Sequence, residues 1–179
     1  MRNGQLSRFV GATVVILMFA ASVAQAVDTP DAWVTLKTKI ALMTTEGVST
    51  TDLNVDTVKG IVTLHGKVAT EAEKAKAENV ARGIEGAKEV KNLLQVVPGA
   101  QRAVVERSDD LIKTSVEAAF KANHRVAASG IKVASVNKGV VLLSGKTNSL
   151  EAYLESVEVA NAVRGVRRVS TEVEVVPAS

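Results

Sequence analysis

Hydrophobic and polar positions change period several times along the chain. Phe9 to Ala21 is an almost unbroken apolar run. Trp33, Leu36, Ile40 and Met43 then recur at i, i+3, i+7 and i+10. That is one helical stripe, on a helix capped by Asp31 and running to about Thr44. Leu53, Val55 and Thr57 alternate with Asn54 and Asp56, the pattern of a half-buried strand. Val58-Lys59-Gly60 turns the chain. On the return strand Val62, Leu64 and Gly66 face one way, and Thr63, His65 and Lys67 the other, so the two strands form a hairpin. Thr70 and Glu73 make a capping box. The helix they start has Ala77, Val80, Ala81 and Ile84 as its buried stripe, and Gly83 and Gly86 end it. Lys88 to Val97 is a third strand, which a strand–helix–strand connection should bring parallel to the second. The unit is αββαβ.

The unit occurs twice. Lys59–Val97 and Lys138–Val176 align at a constant offset of 79, with 12 of 39 positions identical. The identities are mostly apolar residues and turn glycines, the types a core and its corners need, so the duplication repeats a fold unit first of all. In the second copy Ser108 or Asp109 should cap a helix bearing Ile112, Val116 and Ala119. Ile131, Val133 and Ser135 match Leu53, Val55 and Thr57 at offset 78, which places one extra residue before the turn at Asn137-Lys138-Gly139. A return strand (139–146), a helix (149–163) and a last strand (166–176) complete it. Residues 98–107 link a first domain (27–97) to a second (108–176). At about 70–80 residues each, the units bury only about 60% of their unfolded surface and should gain stability by packing on each other or on a partner.

The leading segment changes the picture of location. Arg2 and Arg8 precede the apolar run, and Ala24-Gln25-Ala26 ends it as a small-x-small site. This is the pattern of a secretory signal peptide cleaved after Ala26, with Ala24 and Ala26 as the recognised positions. The chain has no cysteine, so disulfides, thiolate metal sites and a lipid-modified N-terminus are not expected. The expected location is the periplasm. Of 22 basic residues, two belong to the signal, leaving 20 against 19 acidic ones. That balance lacks the basic excess of a nucleic-acid binder.

Two αββαβ units carry the runs Val62-Thr63-Leu64-His65-Gly66 and Val141-Leu142-Leu143-Ser144-Gly145. Each ends its second helix in Gly-[Ala/Val]-x-x-Val, at Gly86–Val90 and Gly165–Val169. The chain resembles tandem BON-domain periplasmic proteins of the osmotic-stress type. The resemblance implies an α+β fold, two small mixed three-stranded sheets each covered by two helices. It also implies a non-enzymatic envelope-stress protein. Its partners would be an anionic phospholipid membrane surface or exported and outer-membrane proteins, which it would bind or protect in a chaperone-like way. A lipid-independent interaction module of a specific envelope assembly is the rival reading. The resemblance brings no catalytic residues and no cofactor.

Candidate sites come from comparing the copies. Leu150, Tyr153, Leu154 and Val157 form a second apolar stripe on the last helix, where the first copy has Glu71, Lys74, Ala75 and Glu78. A stripe the fold does not require reads as an interface, with the first unit or with a partner protein or lipid. Lys113, Lys121, Arg125, Lys132, Arg164, Arg167 and Arg168 are candidate contacts to anionic headgroups, each worth about 1 kcal/mol near such a surface. His65 and His124 are isolated and do not make a metal site. The serines lack a nucleophile-elbow context, so no enzyme is expected. Gly83-Ile84-Glu85-Gly86 has the spacing of a nucleic-acid clamp, but it contains an acid and is absent from the second copy. It is a helix end.

Overall fold

A computed structural model describes residues 29–176. The expected signal peptide, with Ala24 and Ala26, lies outside the described residues. The first unit runs α1 (Asp31–Thr44), β1 (Leu53–Val58), β2 (Ile61–Val68), α2 (Glu71–Arg82), β3 (Glu89–Asn92) and β4 (Gln95–Val96). β1 pairs antiparallel with β2, while β3 and β4 both pair parallel with it. The expected third strand is thus one strand interrupted at Leu93-Leu94. The second unit runs α3 (Arg102–Ala122), α4 (His124–Ala127), β5 (Gly130–Asn137), β6 (Val140–Thr147), α5 (Leu150–Ala162) and β7 (Arg168–Val175), with sheet order β5-β6-β7.

In each unit one sheet face is covered by helices. Val34 and Leu42 of α1 and Ala77 and Ala81 of α2 close over Val55, Val62 and Leu64. Ile112, Val116 and Phe120 of α3 and Ala160 of α5 close over Val133, Val136, Val141 and Leu143. Both helices after the hairpins start as their caps dictate. Glu73 N donates to Thr70 Oγ1 (3.1 Å), and Ala152 N donates to Ser149 Oγ (3.0 Å). Glu73 does not complete a reciprocal box. Its buried carboxylate instead accepts from Ser49 N (2.6 Å) and Ala69 N (2.8 Å), stapling the preceding loop.

Three sequence expectations are corrected. Asp31 does not cap α1, whose N-cap is Pro30. Its carboxylate accepts from Lys59 N and Gly60 N, both at 2.8 Å. Asp109 does the same for Lys138 N (2.9 Å) and Gly139 N (3.0 Å). Lys59 and Lys138 have φ of 54° and 49°, and the glycines after them 80° and 75°. Two successive positive φ values define a tight hairpin turn, and an aspartate from the preceding helix holds both amides of it. Second, the extra residue of copy two is not at this turn. It is Ala134, a bulge between Val133 and Ser135, so Val136 and not Ser135 takes the place of Thr57. Third, the linker shrinks to a single 3-10 turn at Gly99–Gln101, because α3 begins at Arg102, well before Ser108. Arg102 is held there by Asp52 of the first unit. His124, just past the end of α3, opens the short helix α4, capped by Asn123, which accepts from Arg125 N and Val126 N.

The glycine of each V-x-L-x-G run has a physical reason. Gly66 and Gly145 have φ of 124° and 126°. A Cβ there would overlap the carbonyl oxygen of Asp52 or Gly130 on the paired strand.

The remaining sheet faces meet each other. Thr63 and His65 of β2 and Val140 and Leu142 of β6 are buried, although they point away from the helices. The layers therefore run helix, sheet, sheet, helix. Lys59 Nζ at the first turn reaches Glu174 of β7 (3.7 Å), and Lys138 Nζ at the second turn donates to Val96 O of β4 (3.0 Å). Each turn lysine thus reaches the end of the other unit's last strand.

Candidate interaction surfaces

The α1 stripe singled out by periodicity exists, but it faces outward. Trp33 is 53% exposed, Leu36 46%, Ile40 53% and Met43 70%. The buried side of α1 is Val34, Thr38 and Leu42, and the Thr38 hydroxyl is satisfied by donating to Val34 O (2.8 Å). The helix is apolar nearly all round. Its slimmer stripe packs on the sheet, and the bulky one is left in solvent. Lys39 is the one charge among the outward residues of α1, since Lys37 turns to Glu85 (3.3 Å). An exposed patch of this size on a monomer marks a contact surface. The signal for it was in the sequence, as two apolar stripes where a sheet can cover only one.

The α5 stripe divides. Tyr153 and Val157 pack on the second unit's core, whereas Leu150 and Leu154 are 54% and 57% exposed. α5 packs against α3, α4, β6 and β7, all of its own unit, and the units meet through their sheets instead. Docking of the four-residue stripe on the first unit is therefore not what the fold does. Leu150 and Leu154 remain an outward apolar pair, flanked by exposed Glu151 and Glu158.

The basic candidates do not converge. Lys121 and Lys132 share a shallow hollow with Phe120 and Val126. Arg167 and Arg168 lie at the other end of β6, where Arg167 reaches Lys138 O (3.5 Å) and Arg168 pairs with Val140. Arg164 sits in the exposed turn beside them, and Lys113 is exposed on α3. Arg125 is committed to Glu155 (2.8 Å). Among the described residues no group of three or more His, Cys, Asp or Glu is arranged to hold a metal. None of their helices is long and apolar enough to cross a membrane.

His65 does lie on the face away from Val62 and Leu64, and that face is the unit–unit contact. His65 Nε2 meets Asp56 Oδ2 at 2.9 Å. This hydrogen bond is the main reason the Asp56 carboxyl is held below the usual range. Across the contact, burial pushes the Glu172 carboxyl of β7 upward, the Thr63 hydroxyl beside it pulls it down less strongly, and the nearby Asp56 adds to the rise. Asp109 is likewise at the contact, buried and paired with Lys67 of the first unit at 3.3 Å.

This architecture, two αββαβ units packed sheet to sheet, defines a tandem α+β protein of two small domains. The family model described as "BON domain" matches residues 30–98 and again 108–177. The chain belongs to the BON-domain family. It is similar to "Osmotically-inducible protein Y" of Escherichia coli (strain K12), 32% identical over 145 residues, covering 80% of this chain and 72% of that one. It is 36% identical over 118 residues to the "21 kDa hemolysin" of Actinobacillus pleuropneumoniae, and 32% over 117 residues to "Outer membrane lipoprotein DolP" of Haemophilus influenzae. Each of those two matches covers 65% of this chain and 59% of the relative. Among solved structures, the C-terminal domain of CdsD, "the structural protein of the Type III secretion system of Chlamydia trachomatis", matches at 16% identity and a TM-score of 0.33, covering 83% of this chain and 68% of that one.

Proposed function

We propose that this is a non-enzymatic envelope-stress protein of the periplasm that docks on phospholipid surfaces through the outward face of α1. Relatives named for osmotic induction and for the outer membrane support the setting. The observation that carries the docking is Trp33, Leu36, Ile40 and Met43 in solvent with Lys39 beside them. A helix with a broad apolar face and a basic flank lies in the headgroup region, its apolar side chains sunk below the phosphates. The lysine stem can follow them while its ammonium stays in water.

Trp33 is the chain's one tryptophan, so its fluorescence reports this face alone. On adding phosphatidylglycerol vesicles the emission should shift to the blue, and brominated acyl chains should quench it. Ile40→Ser with Met43→Ser, which adds no charge, should weaken binding at least tenfold and leave thermal unfolding unchanged. No emission shift at low salt would end the lipid reading. Leu150 and Leu154 favour a second reading, capture of exported proteins at the opposite outer layer. Suppression of aggregation of an unfolded outer-membrane protein, lost in Leu150→Lys/Leu154→Lys, would support it.

A further inference from the structure

Comparison of the two copies makes one difference informative. The first unit presents Asp56, Thr63, His65 and Leu93, and the second has Ser135, Leu142, Ser144 and Glu172 at the matching positions. Glu172 lies against Thr63 with Asp56 and His65 near it, and the matching residues of the second unit do not repeat that cluster. Leu93 and Leu142 are both buried, so the fold accepts apolar residues at such places. Buried Thr63 and His65, tied to half-exposed Asp56, stand where an apolar residue would serve and call for an explanation.

Proton bookkeeping supplies one. The Asp56 carboxylate only accepts, so His65 Nε2 donates to it, and Nδ1 of the neutral ring is left an acceptor. His65 Nδ1, Thr63 Oγ1 and Glu172 Oε1 are all buried without a hydrogen-bond partner. An ionised Glu172 adds only acceptors to this group. The Thr63 hydroxyl can serve only one of the two acceptors, Nδ1 and Oε1, and one proton on the Glu172 carboxyl adds the donor that the other lacks.

We infer that Asp56, His65 and Glu172 form a proton-operated latch between the two units: docking of the sheets takes up a proton, so mild acid holds them together and rising pH loosens them. The charged groups facing the latch are Asp56 on β1, His65 on β2, Lys91 on β3, and Lys39 and Lys132 beside Asp56. On β7 itself, Glu174 is engaged by Lys59 and Lys146. Glu172 is raised above its ordinary 4.5 by burial, so its contribution is complete below that value. It is lost as pH rises through the raised value. Asp56 works in the opposite sense. It is lowered below 3.8 chiefly by His65 of its own unit, so that contribution, which holds above 3.8 and fails as pH falls through the lowered value, belongs to the first unit and not to the docking. Docking is therefore tighter in mild acid than at neutral pH.

The cysteine-free chain allows a direct test. Dyes on Ala72→Cys (α2) and Ala118→Cys (α3), both exposed and on opposite outer layers, report separation of the units by energy transfer. The urea concentration at which transfer is lost is measured from pH 4.5 to 8. It should fall with rising pH, the docking equilibrium weakening by up to about tenfold per pH unit until Glu172 is fully ionised. Glu172→Gln keeps a neutral donor and should flatten this drop. Glu172→Leu, which copies Leu93, should flatten it too, while Glu174→Gln should retain it. A midpoint that does not fall with pH, or a fall of equal size in Glu172→Gln and Glu172→Leu, would overturn the latch.

Discussion

The two units share a backbone plan and differ at their surfaces. Trp33, Leu36, Ile40 and Met43 of α1 correspond, at offset 78, to Leu111, Thr114, Ala118 and Lys121 of α3. One face is apolar from end to end, and the other keeps only Leu111 at its start. The residues beneath them are equivalent: Val34 and Leu42 in one core, Ile112 and Phe120 in the other. Where the copies agree the residue serves the fold. Where they diverge on the surface, the fold gives no reason for the choice.

The aspartates under the hairpin turns sharpen this comparison most. Asp31 and Asp109 each hold two turn amides, but Asp109 is also the buried partner of Lys67, whose side chain is 11% exposed. Asp109→Ala strands that cation and should cost about 3–4 kcal/mol. Asp31→Ala removes only the bonds to the turn and should cost about 1–2 kcal/mol. Urea denaturation of both variants at neutral pH measures the difference. Equal losses would mean that Lys67 gains nothing from crossing to the second unit.

The glycines of the repeated run should behave alike. Gly66→Ala and Gly145→Ala each force a side chain at positive φ against a carbonyl of the paired strand, at about 2–3 kcal/mol apiece. Similar falls in unfolding midpoint are expected. A large loss in one unit alone would show that the matched residues do not do matched work.

Strand alternation, helix caps and the repeat offset made the order of elements legible, because these signals are local. The misreadings arose where a distant partner decided the outcome. Asp31 has the residue type of an N-cap, but a turn 28 residues on claims its carboxylate. Periodicity finds the bulky stripe of α1 without saying which stripe the sheet takes. Ala134 leaves no mark in an offset count except a shift of one, which a longer turn would explain as well. The meeting of the sheets was hidden for another reason. Thr63, His65 and Lys67 have the composition of a solvated face, and only the second unit's matching face makes it an interior.

The smallest expected effect separates the two halves of the α5 stripe. Leu154 stands in solvent, so Leu154→Lys should change stability by no more than about 0.5 kcal/mol. Tyr153 is one residue away and packs on the second unit's core, so Tyr153→Lys should cost about 1–2 kcal/mol from lost burial alone. Thermal unfolding of the two variants side by side tests this. A marked loss for Leu154→Lys would mean that the outer layer of the second unit is covered in solution, and sedimentation would then test a second copy of the chain as the cover. A null effect on stability joined to a loss of client protection would instead make Leu154 a binding residue, on the face opposite the one that α1 offers to lipid.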